Sequence, residues 1–193
     1  SNIRFIGIRK KNGKYILTTS FDKKNINLEI NNNNKNYIMN SLCCLAIIKE
    51  LNLDLNKVRD VFKNQTFLKG RGKINQIKKR NKKFFLIDES YNANPLSVKS
   101  AIENFSKIKK KGKRKYFLFG DMLELGKKSL IYHKKVSKII NKSDIDKTYV
   151  YGSKSAETYK LLKNNKKGEI LKDLKSFDYK ISKILRNGDY LMI

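Results

Sequence analysis

From residue 84 onward, short apolar runs alternate with helically spaced apolar residues, and this rhythm limits the chain to few folds. Strands are expected near 74–77 and over 84–88, 116–120, 148–151, near 169–171 and over 189–193. Helices are expected over 95–107, 129–140, 153–162 and 174–185. Strand–helix alternation of this kind predicts βαβ crossovers and a mostly parallel, Rossmann-like α/β sheet. Two of the strands run into polar, turn-forming clusters, Leu86-Ile87-Asp88-Glu89-Ser90-Tyr91-Asn92-Ala93-Asn94-Pro95 and Phe119-Gly120-Asp121-Met122-Leu123-Glu124-Leu125-Gly126. In an open α/β sheet, ligands gather at such strand ends.

The N-terminal part reads differently. Runs 3–9 and 14–21 flank Lys10-Lys11-Asn12-Gly13, and Asn-Gly between apolar alternations signals a β-hairpin. A third strand follows over 26–30. Ile38, Leu42, Leu45 and Ala46 then recur at helical spacing to about residue 50, and a second helix carries Val58 and Phe62 inward. Gly70-Arg71-Gly72 breaks the pattern, which places a boundary there and gives two domains, 1–72 and 73–193. The first strands lack a sheet of their own and the last lacks a following loop, so the chain reads as a fragment at both ends.

The formal charge of +28 raises the question of a nucleic-acid partner. Lysines are spread through every element, however, and the densest run, Lys109 to Lys115, falls between a helix and a strand. No helix-turn-helix, zinc-finger or RNP pattern accompanies them. Compositional drift explains the charge better than a specific nucleic-acid function; a nonenzymatic polyanion-binding module is the alternative from another class. No run approaches the ~20 apolar residues of a membrane span, and no signal peptide is visible, so a soluble protein is expected. Cys43 and Cys44, adjacent on a helix, cannot form an ordinary bridge and match no zinc spacing; they are expected in the core.

Asn94 and Pro95 are suited to starting a helix, Asn by accepting from free N–H groups and Pro by needing no partner for its nitrogen. That leaves Asp88 to Asn92 on the loop between a strand end and a helix start. Asn92 and Asn94 either only shape that turn or also face a ligand, and an acidic residue at a strand end can hold a ribose hydroxyl. Asp121 and Glu124 are open between a cap for the following helix and a site role. His133, beside Val136 and Ile140 on a helix, reads as structural.

Ser90-Tyr91-Asn92-Ala93-Asn94-Pro95, preceded by Ile87-Asp88-Glu89, resembles the start of the C-terminal domain of Mur ligases, and its wording is similar to the MurF branch. Gly120 to Gly126 resembles another hallmark of that branch, His133 its recurrent histidine, Gly70-Arg71 the end of the ATPase domain, and residues 37–46 the Asn-Ser-Leu helix before it. The resemblance implies an ATP-dependent ligase joining D-alanyl-D-alanine to UDP-N-acetylmuramoyl-tripeptide through an acyl phosphate in peptidoglycan synthesis. It further implies a cytoplasmic bacterial monomer using ATP and Mg²⁺. Residues 1–72 would be the tail of the central ATPase domain, and 73–193 most of the C-terminal domain. By the same resemblance Arg71 is catalytic, reaching ATP phosphates. Asp88 or Glu89 holds the ribose, and Glu89 takes the column usually filled by Asp. Asn92 and Asn94 shape the nucleotide edge of the cleft, Tyr91 packs either on a ligand there or on the following helix, and Asn36, where relatives carry His, lies on the adenine side. A different Mur ligase or a folylpolyglutamate synthase-type enzyme is the nearer alternative. The sequence contains no Gly-x-x-Gly-Lys-Thr/Ser loop, so this portion is expected to be inactive alone, with Mg²⁺ and most ATP contacts supplied elsewhere.

Overall fold

The computed structural model describes residues 3–64, 69–79 and 81–193. The chain divides into two compact units, Ser1–Thr66 and Phe67–Ile193.

In the first unit, β1 (Arg4–Lys11), β2 (Lys14–Phe21) and β3 (Lys24–Ile30) form an antiparallel sheet in the order β1-β2-β3. Both turns have two residues with positive φ, Asn12-Gly13 and Asp22-Lys23, which matches the twist of the flanking strands. Only the first pair carries a sequence signature strong enough to expect it. The opening strands, expected to lack a sheet, thus make one among themselves. Its inner face (Leu17, Leu28, Ile30) is covered by Leu45 and Ile48 of α1 (Lys35–Glu50) and Phe62 of α2 (Leu55–Asn64). Asn34 caps α1 by accepting from the Asn36 N–H, and the Tyr37 hydroxyl donates to the Phe62 carbonyl at 2.8 Å, tying the two helices.

Cys43 and Cys44 are exposed, not in the core. The buried stripe of α1 is Ser41, Leu45 and Ile48, spaced as one helical face. Both cysteines fall off that face, because position around the helix outweighs the tendency of free Cys to be buried.

The second unit is an α/β domain built on a six-stranded sheet in the order β4-β5-β9-β6-β7-β8. β4 (Lys73–Lys79) pairs antiparallel with β5 (Lys82–Asp88), and all other neighbours are parallel: β6 (Lys115–Gly120), β7 (Lys147–Tyr151), β8 (Lys167–Ile170) and β9 (Tyr190–Met192). α3 (Pro95–Lys107), α4 (Ser129–Lys142) and α5 (Ser155–Lys160) connect β5 to β8 in sequence, and α6 (Leu174–Ile184) leads back to β9 at the centre. α5 is shorter than the expected 153–162.

Strand alternation sorts side chains to two faces. Phe117, Phe119 and Met192 pack with Val98, Ile102 and Phe105 of α3 and Val136 and Ile140 of α4. Tyr116 and Leu191, from the same strands, pack with Phe177, Ile181 and Leu185 around α6. Helices on one face for the outward walk, and on the other for the return, follow from right-handed crossovers.

Two ion pairs, each with one buried member, fix the start of β6. The Lys115 ammonium, fully buried, donates to the Phe105 and Ser106 carbonyls at the end of α3 and to the Asp144 carboxylate at 2.7 Å. Asp189, just before β9, accepts from the Arg114 guanidinium at 2.8 Å and from the Arg114 and Arg186 backbone N–H groups. Each charge has several partners, as buried ions require.

A candidate nucleotide-facing edge at the strand ends

The carboxyl ends of β5, β9, β6 and β7 open into a cleft of about 340 Å³. Glu89 and Asn92 lie on one side and Asp121 and Tyr151 on the other, with Val98 and Phe119 among its apolar walls.

The β5 side carries most of the residues singled out from sequence. Asp88 ends the strand, and its carboxylate folds back to accept from the Ser90 N–H at 3.1 Å and hydroxyl at 2.6 Å, closing a local turn. Glu89 continues the pairing with β9, its N–H donating to the Ile193 carbonyl at 2.8 Å. Burial pushes the Glu89 carboxyl above its ordinary value, the charge of Asp88 adds to this, and the Arg71 cation opposes it. Asn94 takes extended backbone geometry and caps α3: its side-chain oxygen accepts from the Leu96 and Ser97 N–H groups, while Ser97 Oγ accepts from the Asn94 N–H. That oxygen is therefore committed, whereas Asn92 is exposed in the cleft.

Gly70-Arg71-Gly72 runs beside this loop. The Gly72 N–H donates to the Asp88 carbonyl at 2.7 Å, and the Tyr91 N–H donates to the Gly70 carbonyl at 3.2 Å. Both glycines have left-handed φ, +75° and +80°. A Cβ at Gly70 would stand 2.9 Å from the Tyr91 nitrogen, and one at Gly72 would stand 2.8 Å from Glu89 Oε1. Glycine is thus favoured at both positions by its conformation, and at Gly70 also by the close approach to the Tyr91 backbone; at Gly72 the near atom is the movable end of Glu89. Arg71, held between them, lays its guanidinium 4.4 Å from the centre of the Tyr91 ring. Sequence reasoning marked these residues but gave no sign of how closely the strap and the loop join.

On the opposite side, Asp121 has a different job from those expected. It caps α5, three elements onward, not the helix that follows it. Its Oδ1 accepts from the Ser155 N–H at 2.7 Å and the Lys154 N–H at 3.1 Å. Burial raises the Asp121 carboxyl, but these bonds outweigh it and hold the group below its ordinary value. Gly152 makes this possible with φ +122° and no side chain where the carboxylate lies. Glu124 is exposed in a left-handed turn and lines no part of the cleft. His133 is structural as expected: fully buried, it accepts the Met122 N–H at Nε2, 2.9 Å away, and its Nδ1 donates to the Ser129 carbonyl at 2.8 Å. Those two bonds define its neutral tautomer. Asn36 belongs to the other unit, exposed in the first turn of α1.

An open, mostly parallel sheet with a cleft at the carboxyl ends of its strands has its candidate site where α/β folds bind ligands. The family description "Mur ligase, glutamate ligase domain" matches residues 74–193, and the chain belongs to the Mur ligase family. Among curated proteins it is similar to the UDP-N-acetylmuramoyl-tripeptide–D-alanyl-D-alanine ligases of two Buchnera aphidicola subspecies. Identity is 34% with that of Baizongia pistaciae, over 72% of this chain and 30% of the relative. It is 30% with that of Acyrthosiphon pisum, over 86% of this chain and 38% of the relative. The chain thus spans about a third of the length of these relatives. In fold it is similar to a MurF crystal structure from Acinetobacter baumannii, with TM-score 0.79, 17% identity and coverage of 99% of this chain and 41% of that one. A MurF ligase from Thermotoga maritima in complex with ADP gives TM-score 0.75, 17% identity, and coverage of 99% and 42%.

Proposed function

We infer that this chain is the acceptor-side portion of an ATP-dependent ligase of peptidoglycan synthesis, one that joins D-alanyl-D-alanine to UDP-N-acetylmuramoyl-tripeptide. The observation that carries the reading is the gathering of Arg71, Glu89 and Asn92 on one edge of the second unit, together with the names of the relatives above. Residues 1–72 are read as the tail of the central ATP-binding domain and 73–193 as the C-terminal domain of a cytoplasmic, monomeric enzyme.

The residues present suit part of a nucleotide. Glu89, half-buried at a strand end, is placed to accept from a ribose hydroxyl. Asp88 is occupied by Ser90, which makes it the lesser candidate. The exposed guanidinium of Arg71 offers a planar fork of donors to phosphate oxygens. Asn92 and the amide nitrogen of Asn94 edge the same loop. ATP, when bound, supplies the phosphoryl group that activates the tripeptide carboxylate. Arg71 then offsets charge developing on the phosphate oxygens. The apolar walls of the cleft suit the methyl groups of a D-alanyl dipeptide. Among the described residues no three His, Cys, Asp or Glu side chains gather, and Mg²⁺, which in nucleotide sites needs only one or two carboxylates beside the phosphates, is assigned on the family resemblance mainly to the rest of the central domain.

The test is phosphate release by the full-length gene product supplied with ATP, Mg²⁺, UDP-N-acetylmuramoyl-tripeptide and D-alanyl-D-alanine. Dipeptide-dependent release is expected. Its absence from folded protein would leave the family correct and the substrate wrong.

A further inference from the structure

We propose that Tyr91 is a positioning residue for Arg71, its ring holding the guanidinium flat and turned outward as a preformed phosphate clamp. The proposal deepens the reading above and rests on its assignment of Arg71 to phosphate. Three observations carry it.

The strap that bears Arg71 is fixed at the backbone on both sides, through Gly72 to Asp88 and through Gly70 to Tyr91. Two glycines with left-handed φ shape it, and at Gly70 it meets the Tyr91 backbone at a distance no side chain allows. The main chain being set, the remaining freedom of Arg71 lies in its long side chain.

The Tyr91 ring is the contact that limits this freedom. It is 67% exposed, so it is not serving the core, and its centre lies 4.4 Å from the guanidinium carbon. A guanidinium on an aromatic face keeps its N–H groups free at the edge, where a phosphate can take two at once.

A competing arrangement is close by. Glu89 feels the charge of Arg71, yet the two form no ion pair within 4.0 Å. Without the ring, Arg71 is free to swing onto Glu89, which would tie up both the phosphate clamp and the ribose acceptor. The stack thus keeps two oppositely charged groups apart that must serve different parts of one nucleotide. A purely decorative aromatic would have no such effect.

The test has two arms. In the 193-residue chain, NMR of the Arg71 side chain should show upfield ring-current displacement. Tyr91→Phe should retain it and Tyr91→Leu abolish it. Added tripolyphosphate should move the Arg71 Nε–H resonance in the parent and in Tyr91→Phe, and much less in Tyr91→Leu. In the full-length protein, Tyr91→Leu should lower kcat on the order of tenfold or more with a smaller change in the KM for ATP, and Tyr91→Phe should restore it. The double variant Tyr91→Leu/Arg71→Ala should be no slower than Arg71→Ala alone. Unshifted Arg71 resonances, or kinetic losses that simply multiply, would overturn the proposal. A parent protein lacking dipeptide-dependent turnover would overturn the ligase reading instead, and the tripolyphosphate arm would still decide the role of Tyr91.

Discussion

The carboxylate of Asp121 occupies the space where any side chain at position 152 would begin, and from there it closes the first turn of α5. The end of β6 and the turn after β7 are thereby made into one piece, which forms the far wall of the cleft.

Gly152→Ala is therefore expected to be costlier than removal of the carboxylate it accommodates. Strain at a glycine-only backbone position, added to the displaced cap, should cost about 2 kcal/mol or more. Asp121→Ala should cost about 1 kcal/mol, as for a lost cap. Urea denaturation of the two variants gives the comparison. The folded-state pKa of Asp121 is lowered, so its contribution is present above the ordinary value of 3.8 and fades as pH falls through the lower folded value. The gap between the parent and Asp121→Asn should close on acidification; a gap constant to below that range would count against the capping role.

Glu89 has the opposite sign. Its folded-state pKa is raised, so the native chain holds the proton more firmly and stability drops as pH climbs past the ordinary value of 4.5. Glu89→Gln should melt higher than the parent at neutral pH and lose that advantage below pH 4.5. The same variant should bind ATP more weakly in the full-length protein, by calorimetric titration. Unchanged affinity would confine Glu89 to the turn.

If the ligase reading holds, Arg71→Ala in the full-length protein lowers turnover by about 10²–10³, the usual effect of removing one preorganised donor, with a smaller loss in nucleotide binding. Single-turnover phosphate release separates the two. Equal losses in both would recast Arg71 as a binding residue only.

His133→Leu should destabilise the second unit by about 2 kcal/mol or more, because the Met122 N–H loses its buried acceptor. Amide exchange should find the Met122 N–H newly labile. Retained protection there would mean that the histidine bond is dispensable.

Much of the second unit could be read from sequence because its signals are local. Asn94-Pro95 announces the start of α3 through capping chemistry, and α3 begins there. The strand ends at Asp88 and Gly120 follow from apolar runs meeting polar turns. What escaped reading depends on partners distant in sequence. Asp121 meets Gly152 across two strands, and no spacing rule joins a carboxylate to a glycine in another loop. The closeness of Gly70 to Tyr91 is similar: the glycines were visible, but the chain they approach was not. Cys43 and Cys44 lie outside the core for a simpler reason: residue type favours burial, but the angle around α1 is decided by Leu45 and Ile48.

β9 is the ninth strand to be made and sits third in the sheet, between β5 and β6. Until Tyr190–Met192 arrive, β4-β5 and β6-β7-β8 are two separate ribbons with unpaired inner edges. Pairing β9 between them joins segments distant in sequence, and contacts of that kind slow folding relative to local helix formation. A lesion near Asp189 would do more than remove one short strand: it would leave two sheet edges available for pairing with other chains, and the damage would show as aggregation before it showed as lost catalysis.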